Sequence, residues 1–428
     1  MRAVFFMILL LQGVLMSAEL RYMEVNDVQL PVIFEKDTSL PIASMQIVFL
    51  KSGSIEDGDL PGLAKMSARM LSQGTKTLGN VGFAQKLENR ALRFGVHAGT
   101  ETLVMELSGL KEQLGYGLSL VQKLLSEPNL TEETLAKVKT NTLGYLARKK
   151  SDYDYIASVN LKKLLFEGTP LQNPSDGTEE SVQKIQLADI EQFIQKHLVL
   201  KRVVIVAGGD IEFEKLQKDL QPLLKVLPTG DIEPLPFYDA SDRQKEKIQH
   251  EKEIQQAYIY FGAPYHEKID SKDLYISKVA MFILGSGGFG SRMMEEIRVK
   301  RGLAYSAYSL ARINKSNSYF TGYLQTKLES ADEAKELVKE VVKNFVKNGA
   351  TQKELESAKK FILGSEPLRN ETLSQRLSRA FGEFYAGKPL GSSQEDLEKI
   401  KNLDLKTLNT FIHNHPEIEK LSFSIVTK

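Results

Sequence analysis

Apolar and polar positions along this chain follow two periods, and the switches between them outline its elements. Alternating and apolar stretches over Leu20–Glu35 and Ile42–Lys51 predict strands. A turn-rich loop, Lys51–Gly58, leads into Gly62–Thr75. There Leu63, Met66, Met70 and Leu71 recur at helical spacing and predict a short amphipathic helix, with Gly74 as its stop. Further helices are expected at Gly82–Arg93, Lys111–Leu125, Thr131–Lys150 and Tyr153–Phe166, with a strand over His97–Leu107 between the first two. Thr131, followed by Glu132 and Glu133, makes an N-cap before an acidic first turn. Val182–His197 reads as a helix pair and Val203–Ala207 as a short buried strand.

The pattern restarts after Leu227–Arg243, where Pro228, Pro234 and Pro236 lie among polar residues as in a linker. Strands are expected at Gln256–Gly262, Ala304–Arg312, Tyr319–Lys327 and Leu421–Thr427. Helices are expected at Lys272–Leu284, Ser291–Lys300, Ser330–Lys347, Thr351–Ser365 and Ser374–Tyr385. This restart is a repeat. Leu125–Lys139 and Val346–Lys359 each show a helix end, a turn, a Thr cap and a new helix. The fold class that follows is α+β, with two homologous domains at residues 19–228 and 244–428 and a linker at 229–243.

Composition changes the picture at three points. At 428 residues, with 42% hydrophobic and 26% charged, the chain can bury two cores and shows no sign of disorder. Lys and Arg number 56 against 55 Asp and Glu, a balance that gives no push toward nucleic acid. Cys is absent, which removes disulfides, thiolate metal sites and cysteine nucleophiles at once. Residues 1–18 join Arg2 to an apolar run ending in Ser17 and Ala18, the form of a secretory signal rather than a membrane anchor. Its removal takes one basic residue and no acidic one, and nothing after it is apolar and long enough to span a bilayer. A periplasmic or secreted location is expected.

The candidate chemistry is sparse. Of six histidines, only His413 and His415 lie close together, with Glu417 nearby, and their Pro-bounded polar setting reads as solvent-exposed. No serine nucleophile motif occurs. The Gly285–Gly290 loop, G-S-G-G-F-G, lacks the Lys-Ser/Thr that a phosphate cradle needs. On the opening helix, Lys65 and Arg69 sit four apart and share one side.

The run from Gly285 to Ser306, G-S-G-G-F-G-S-R-M-M-E-E-I-R-V-K-R-G-L-A-Y-S, resembles a signature of the pitrilysin/insulinase zinc metallopeptidases, which include the mitochondrial processing peptidase. Ser151–Gly177 resembles the family's block after its third metal ligand, and the likeness extends over nearly all of the chain beyond residue 18. The resemblance implies two mostly antiparallel sheets packed with helices, in the processing-peptidase manner. It also implies that the H-x-x-E-H positions fall on Lys65, Ala68 and Arg69, with the third ligand near Tyr145. None of these residues suits zinc. Freeing the Lys65 amine at pH 7 costs about 5 kcal/mol, and without a Glu at 68 no base activates a metal-bound water.

Arg298 and Tyr305 stand where active members carry an Arg and a Tyr that face the zinc from the second domain and stabilise the oxyanion. Taken alone they read as a surface Arg and a half-buried strand Tyr. Gly285, Gly287, Gly288 and Gly290 fall in a loop that lies near bound substrate in the family. His97–Leu107 is similar to the strand that pairs with a peptide by β-addition, and reads equally as a core strand. The expectation is a non-catalytic subunit with no cofactor of its own. Its partner would be a homologue carrying H-x-x-E-H and zinc, and its substrates would be peptides. The other expectation is a purely structural protein derived from the peptidase fold.

Overall fold

A computed structural model describes residues 18–428 of the chain. The segment read as a secretory signal lies outside these residues except for Ala18. In the first half, six strands form one sheet: β1 (Glu19–Val25), β2 (Val28–Lys36), β3 (Ile42–Leu50), β4 (Arg93–Ala98), β5 (Thr102–Leu110) and β6 (Val203–Gly209). Their order is β1-β2-β6-β3-β5-β4. The second half builds a five-stranded sheet from β7 (Glu246–His250), β8 (Ala257–Pro264), β9 (Ala304–Ile313), β10 (Ser318–Thr326) and β11 (Ser422–Thr427), in the order β7-β11-β8-β10-β9. With β1 set aside, the two orders are the same. One parallel pair, β2/β6 or β7/β11, is followed by antiparallel neighbours to the far edge.

Helices α1 (Leu63–Leu71), α2 (Gly79–Glu88), α3 (Leu114–Ser126), α4 (Glu132–Lys149), α5 (Tyr153–Leu165), α6 (Glu179–Lys184), α7 (Leu187–His197) and α8 (Phe213–Leu224) belong to the first half. The second half has α9 (Leu274–Met281), α10 (Ala331–Asn348), α11 (Gln352–Gly364), α12 (Leu373–Tyr385), α13 (Ser392–Asn402) and α14 (Leu405–His413).

Several expected elements are divided or shifted. The Leu20–Glu35 stretch is a hairpin, because Asn26 (φ 48°) and Asp27 (φ 62°) both take the left-handed conformation of a two-residue turn. His97–Leu107 is not one strand. The chain turns at Gly99, whose N–H donates to the Thr102 carbonyl, so His97 lies on edge strand β4 while Leu103, Met105 and Leu107 lie on interior β5. The helix expected to reach Arg93 stops at Glu88, and Ala91 (φ 52°) redirects the chain into β4. Met294–Val299 is wound more widely than an α-helix, as a π-turn. Strand β7 was not foreseen. Its sequence, E-K-I-Q-H, has little apolar signal, and its pairing is supplied by β11.

Both sheets are buried on two faces, and a helix from the opposite half covers the second face of each. On β3, Ala43, Met45, Ile47 and Phe49 pack into the first half's own core with Leu63, Met66 and Met70 of α1. Val48, on the other face, joins Ile33, Val204 and Val206 beneath Leu377 and Ala380 of α12. The reverse arrangement places α5 on the second sheet, with Ala157 against Val426 and Leu161 and Leu165 near Tyr260 and Tyr319. Polar ties fix the exchange. Arg376 of α12 pairs with buried Glu35 (2.6 Å) and with Asp37 (2.5 Å), and Asn160 of α5 bonds Gln249 and Lys247. Among the described residues no helix is long and apolar enough to cross a membrane.

Candidate functional site

The start of α1 is held from outside the helix. Asp57 accepts hydrogen bonds from the backbone N–H groups of Gly62 (2.7 Å) and Ala64 (2.8 Å), two of the donors a helix leaves free at its first turn. Burial outweighs these bonds and the charge of Lys65, pushing the Asp57 carboxyl up to about 7. Gly62 (φ +97°) and Gly177 (φ +78°) allow the loop before α6 to lie against this end, because a side chain on either would strike the other's backbone segment. That approach delivers Asp176 to the helix.

Asp176 sits between the two cations of α1. Its Oδ2 is 3.0 Å from Lys65 Nζ and its Oδ1 is 3.0 Å from Arg69 Nη2. Arg69 also donates from Nη1 to Thr142 Oγ1 of α4 (2.9 Å), and its guanidinium stands 6.0 Å from the Tyr145 ring centre. The side chains retain 26% (Lys65), 33% (Arg69) and 14% (Asp176) of their exposure, so the cluster is half-buried. Ala68 turns into the core. Thus Lys65, Arg69 and Tyr145 gather at one place, with Ala68 beside them. The arrangement inverts the electrostatics of a metal centre: two cations surround a carboxylate, with no ligand set around a vacant position. Neither the amine nor the guanidinium offers a lone pair at neutral pH. Among the described residues no group of three or more His, Cys, Asp or Glu stands where it could hold a metal ion.

Arg298 and Tyr305 meet in the second half. Arg298 closes the π-turn, and its guanidinium carbon lies 4.3 Å from the centre of the Tyr305 ring and 4.7 Å from that of Phe289. Gly302 (φ +63°) reverses the chain between them, with its N–H bonded to the Arg298 carbonyl and that of Leu303 to the Ile297 carbonyl. Tyr305 is 82% exposed and Phe289 67%. Arg298 has no ion pair among the described residues. It is a half-buried cation held against two exposed rings.

The glycines of the loop divide by role. Gly285 is buried, and a Cβ there would overlap Ser309 of β9, so this glycine serves close packing and is not placed to touch substrate. Gly287 approaches Phe282 in the same way, while Gly288 (φ +61°) and Gly290 are exposed beside Phe289. The reading of His413 and His415 as solvent-exposed holds only for His413. His415 is buried, with Nδ1 2.8 Å from Glu417 and Nε2 3.4 Å from Glu267. Burial lowers its pKa, but the two carboxylates outweigh burial and raise it to about 9. Sequence reasoning missed Asp176, Thr142 and Phe289. Only Phe289 carried a signal, as the one aromatic inside the glycine loop.

Two family models match the chain in tandem: insulinase (peptidase family M16) over residues 32–179 and the peptidase M16 inactive domain over residues 184–362. A Helicobacter pylori protein described as a non-peptidase homolog, YmxG, is 45% identical over 425 residues, spanning 99% of this chain and 98% of its own length. The structure of a peptidase M16 inactive domain from Pseudomonas fluorescens superposes with a TM-score of 0.88 at 24% identity, covering 96% of this chain and 98% of that one. A chain of Complex III2 from Candida albicans superposes with a TM-score of 0.77 at 17% identity, covering 95% of each. By its end-to-end likeness to the Helicobacter protein and the two tandem matches, the chain belongs to the M16 (insulinase) family.

Proposed function

We propose that this chain is the non-catalytic subunit of a heterodimeric zinc peptidase that acts outside the cytoplasm, and that it lends Arg298 and Tyr305 to a homologous partner. One observation carries the reading: Arg298 makes no ion pair among the described residues and lies against an exposed Tyr305, whereas Lys65 and Arg69 share the carboxylate of Asp176. In such a complex the partner's metal would polarise the scissile carbonyl and supply the water nucleophile. Arg298 would bring a fixed positive charge and Tyr305 a phenolic donor to the oxygen where negative charge develops, an arrangement that need not reorganise during reaction. Stacking limits the rotamers open to Arg298 and so lowers the entropy lost on engagement.

The test is peptidase turnover and zinc content of the purified chain, alone and mixed with the H-x-x-E-H homologue from the same organism. Hydrolysis is expected only from the mixture, and Arg298→Ala should lower it about 100-fold with assembly intact. Stoichiometric zinc in the lone chain, or hydrolysis by it, would sink the reading. The second reading is a scaffold role without catalysis, which the fold shared with a chain of Complex III2 brings to mind. Unchanged turnover in Arg298→Ala and Tyr305→Phe complexes would select that alternative.

A further inference from the structure

The seam between the halves contains a cavity of about 410 Å³ that neither cation cluster uses. That volume is within the range of small-ligand sites. Ser158 and Lys162 of α5 form one wall, Thr100 of the β4–β5 turn another, and Arg312, Asn314 and Tyr319 of the β9–β10 hairpin the third. Two cations line it and no carboxylate does. The nearby Asp154 is engaged by the Tyr260 hydroxyl at 3.0 Å. Among the described residues neither Lys162 nor Arg312 makes an ion pair or a side-chain hydrogen bond, and the hydroxyls of Thr100 and Tyr319 are also uncommitted. The protein around Lys162, then the charges of Arg312 and Lys65, hold its ammonium below the usual lysine range although the side chain is open to the cavity. Two like charges lining one cavity repel each other, and an anion between them would relieve that repulsion.

The strands indicate where an anion would come from. β4 and β9 are the free edges of their sheets, and each runs into this cavity, β4 through the turn at Thr100 and β9 through Arg312. The hairpin tips touch there, with the Ser316 N–H donating to Glu101 at 2.7 Å. An extended peptide added to either edge would bring its end, or a side chain near its end, to the two cations.

We propose that this cavity binds a peptide carboxylate, with Arg312 and Lys162 holding the anion and the Thr100 and Tyr319 hydroxyls completing its shell. The site takes its ligand class from the peptide-handling reading above but does not depend on catalysis. The experiment is fluorescence anisotropy on the full chain with three probes: a short labelled alanine-rich peptide with a free C-terminus, its C-terminal amide, and an amide with Glu as the last residue. The free acid is expected to bind at least about tenfold more tightly than the plain amide, as for a charge-assisted bond. Arg312→Gln combined with Lys162→Gln should erase that difference, and Arg312→Lys should keep part of it, with the thermal midpoint unchanged in both. Tight binding of the Glu amide assigns the site to acidic side chains, and its failure beside a tight free acid assigns it to chain ends. Equal affinity for acid and plain amide, no binding of either, or discrimination that survives the double variant overturns the proposal. Discrimination that persists in a chain with no effect on any peptidase keeps the site and removes only the subunit reading.

Discussion

In the first half, Lys65 and Arg69 share the carboxylate of Asp176, which a close glycine contact brings from the loop before α6. In the second half, Arg298 lies against Phe289 and Tyr305 and makes no ion pair among the described residues. The two halves share a strand order, so the difference does not come from topology. It comes from what each cation is given. A half-buried charge with a local partner is structural, because moving it would strand the partner. A stacked charge without one keeps its electrostatic field available to a visitor. Family resemblance at a motif therefore says less about activity than the local charge balance does.

Four experiments would break or sharpen that contrast. The largest effect is expected where the halves interlock: Leu377→Ala opens a cavity against Ile33, Val48, Val204 and Val206 and should cost about 3 kcal/mol in chemical denaturation. Asp176→Ala leaves Lys65 and Arg69 facing each other and should cost about 2 kcal/mol, less than a fully buried pair because both cations keep some water. Adding Lys65→Met and Arg69→Leu to that variant should recover most of the loss; no recovery would mean that Asp176 stabilises the loop by other means.

Titration should separate the halves next. The folded pKa of Asp57 is raised to about 7, so its contribution is complete below the unfolded carboxyl value near 4 and is lost as pH rises through 7. The folded pKa of His415 is raised to about 9, so its contribution is complete below 6.5 and is lost as pH rises through 9. Thermal midpoints should fall in both windows, and Asp57→Asn and His415→Gln should each flatten one of them. The smallest effect is expected for Phe289→Ala, which removes one of the two rings on Arg298. In the complex proposed above it should reduce turnover about threefold without touching stability. A stability loss with no change in turnover would make Phe289 a packing residue.

Much of the architecture was legible because it is written in local periodicity. The α1 face of Leu63, Met66 and Met70 is buried as its spacing indicates, and the repeated order of strands and helices appears as two sheets with one topology. The α+β fold and the family could be read from the order of elements and the G-L-A-Y segment. What escaped depends on partners far away in sequence. Strand β7 draws its pairing from β11 at the other end of the second half. Asp176 meets Arg69 from 107 positions away, and nothing in the N-P-S-D-G loop marks its aspartate as a counter-ion. His415 looked exposed because its neighbours in sequence are polar, yet Glu267, from the other end of the domain, lies against it. Charge pairing across the fold has no period, so a single sequence does not display it.

The helix exchange across the sheets has a mechanical consequence. With α5 lying on the second sheet and α12 on the first, swinging the halves apart would lift both helices from their beds and expose two apolar layers together. Separating the halves of this chain is therefore costly, and in the complex proposed above any opening would come from motion between this chain and its partner.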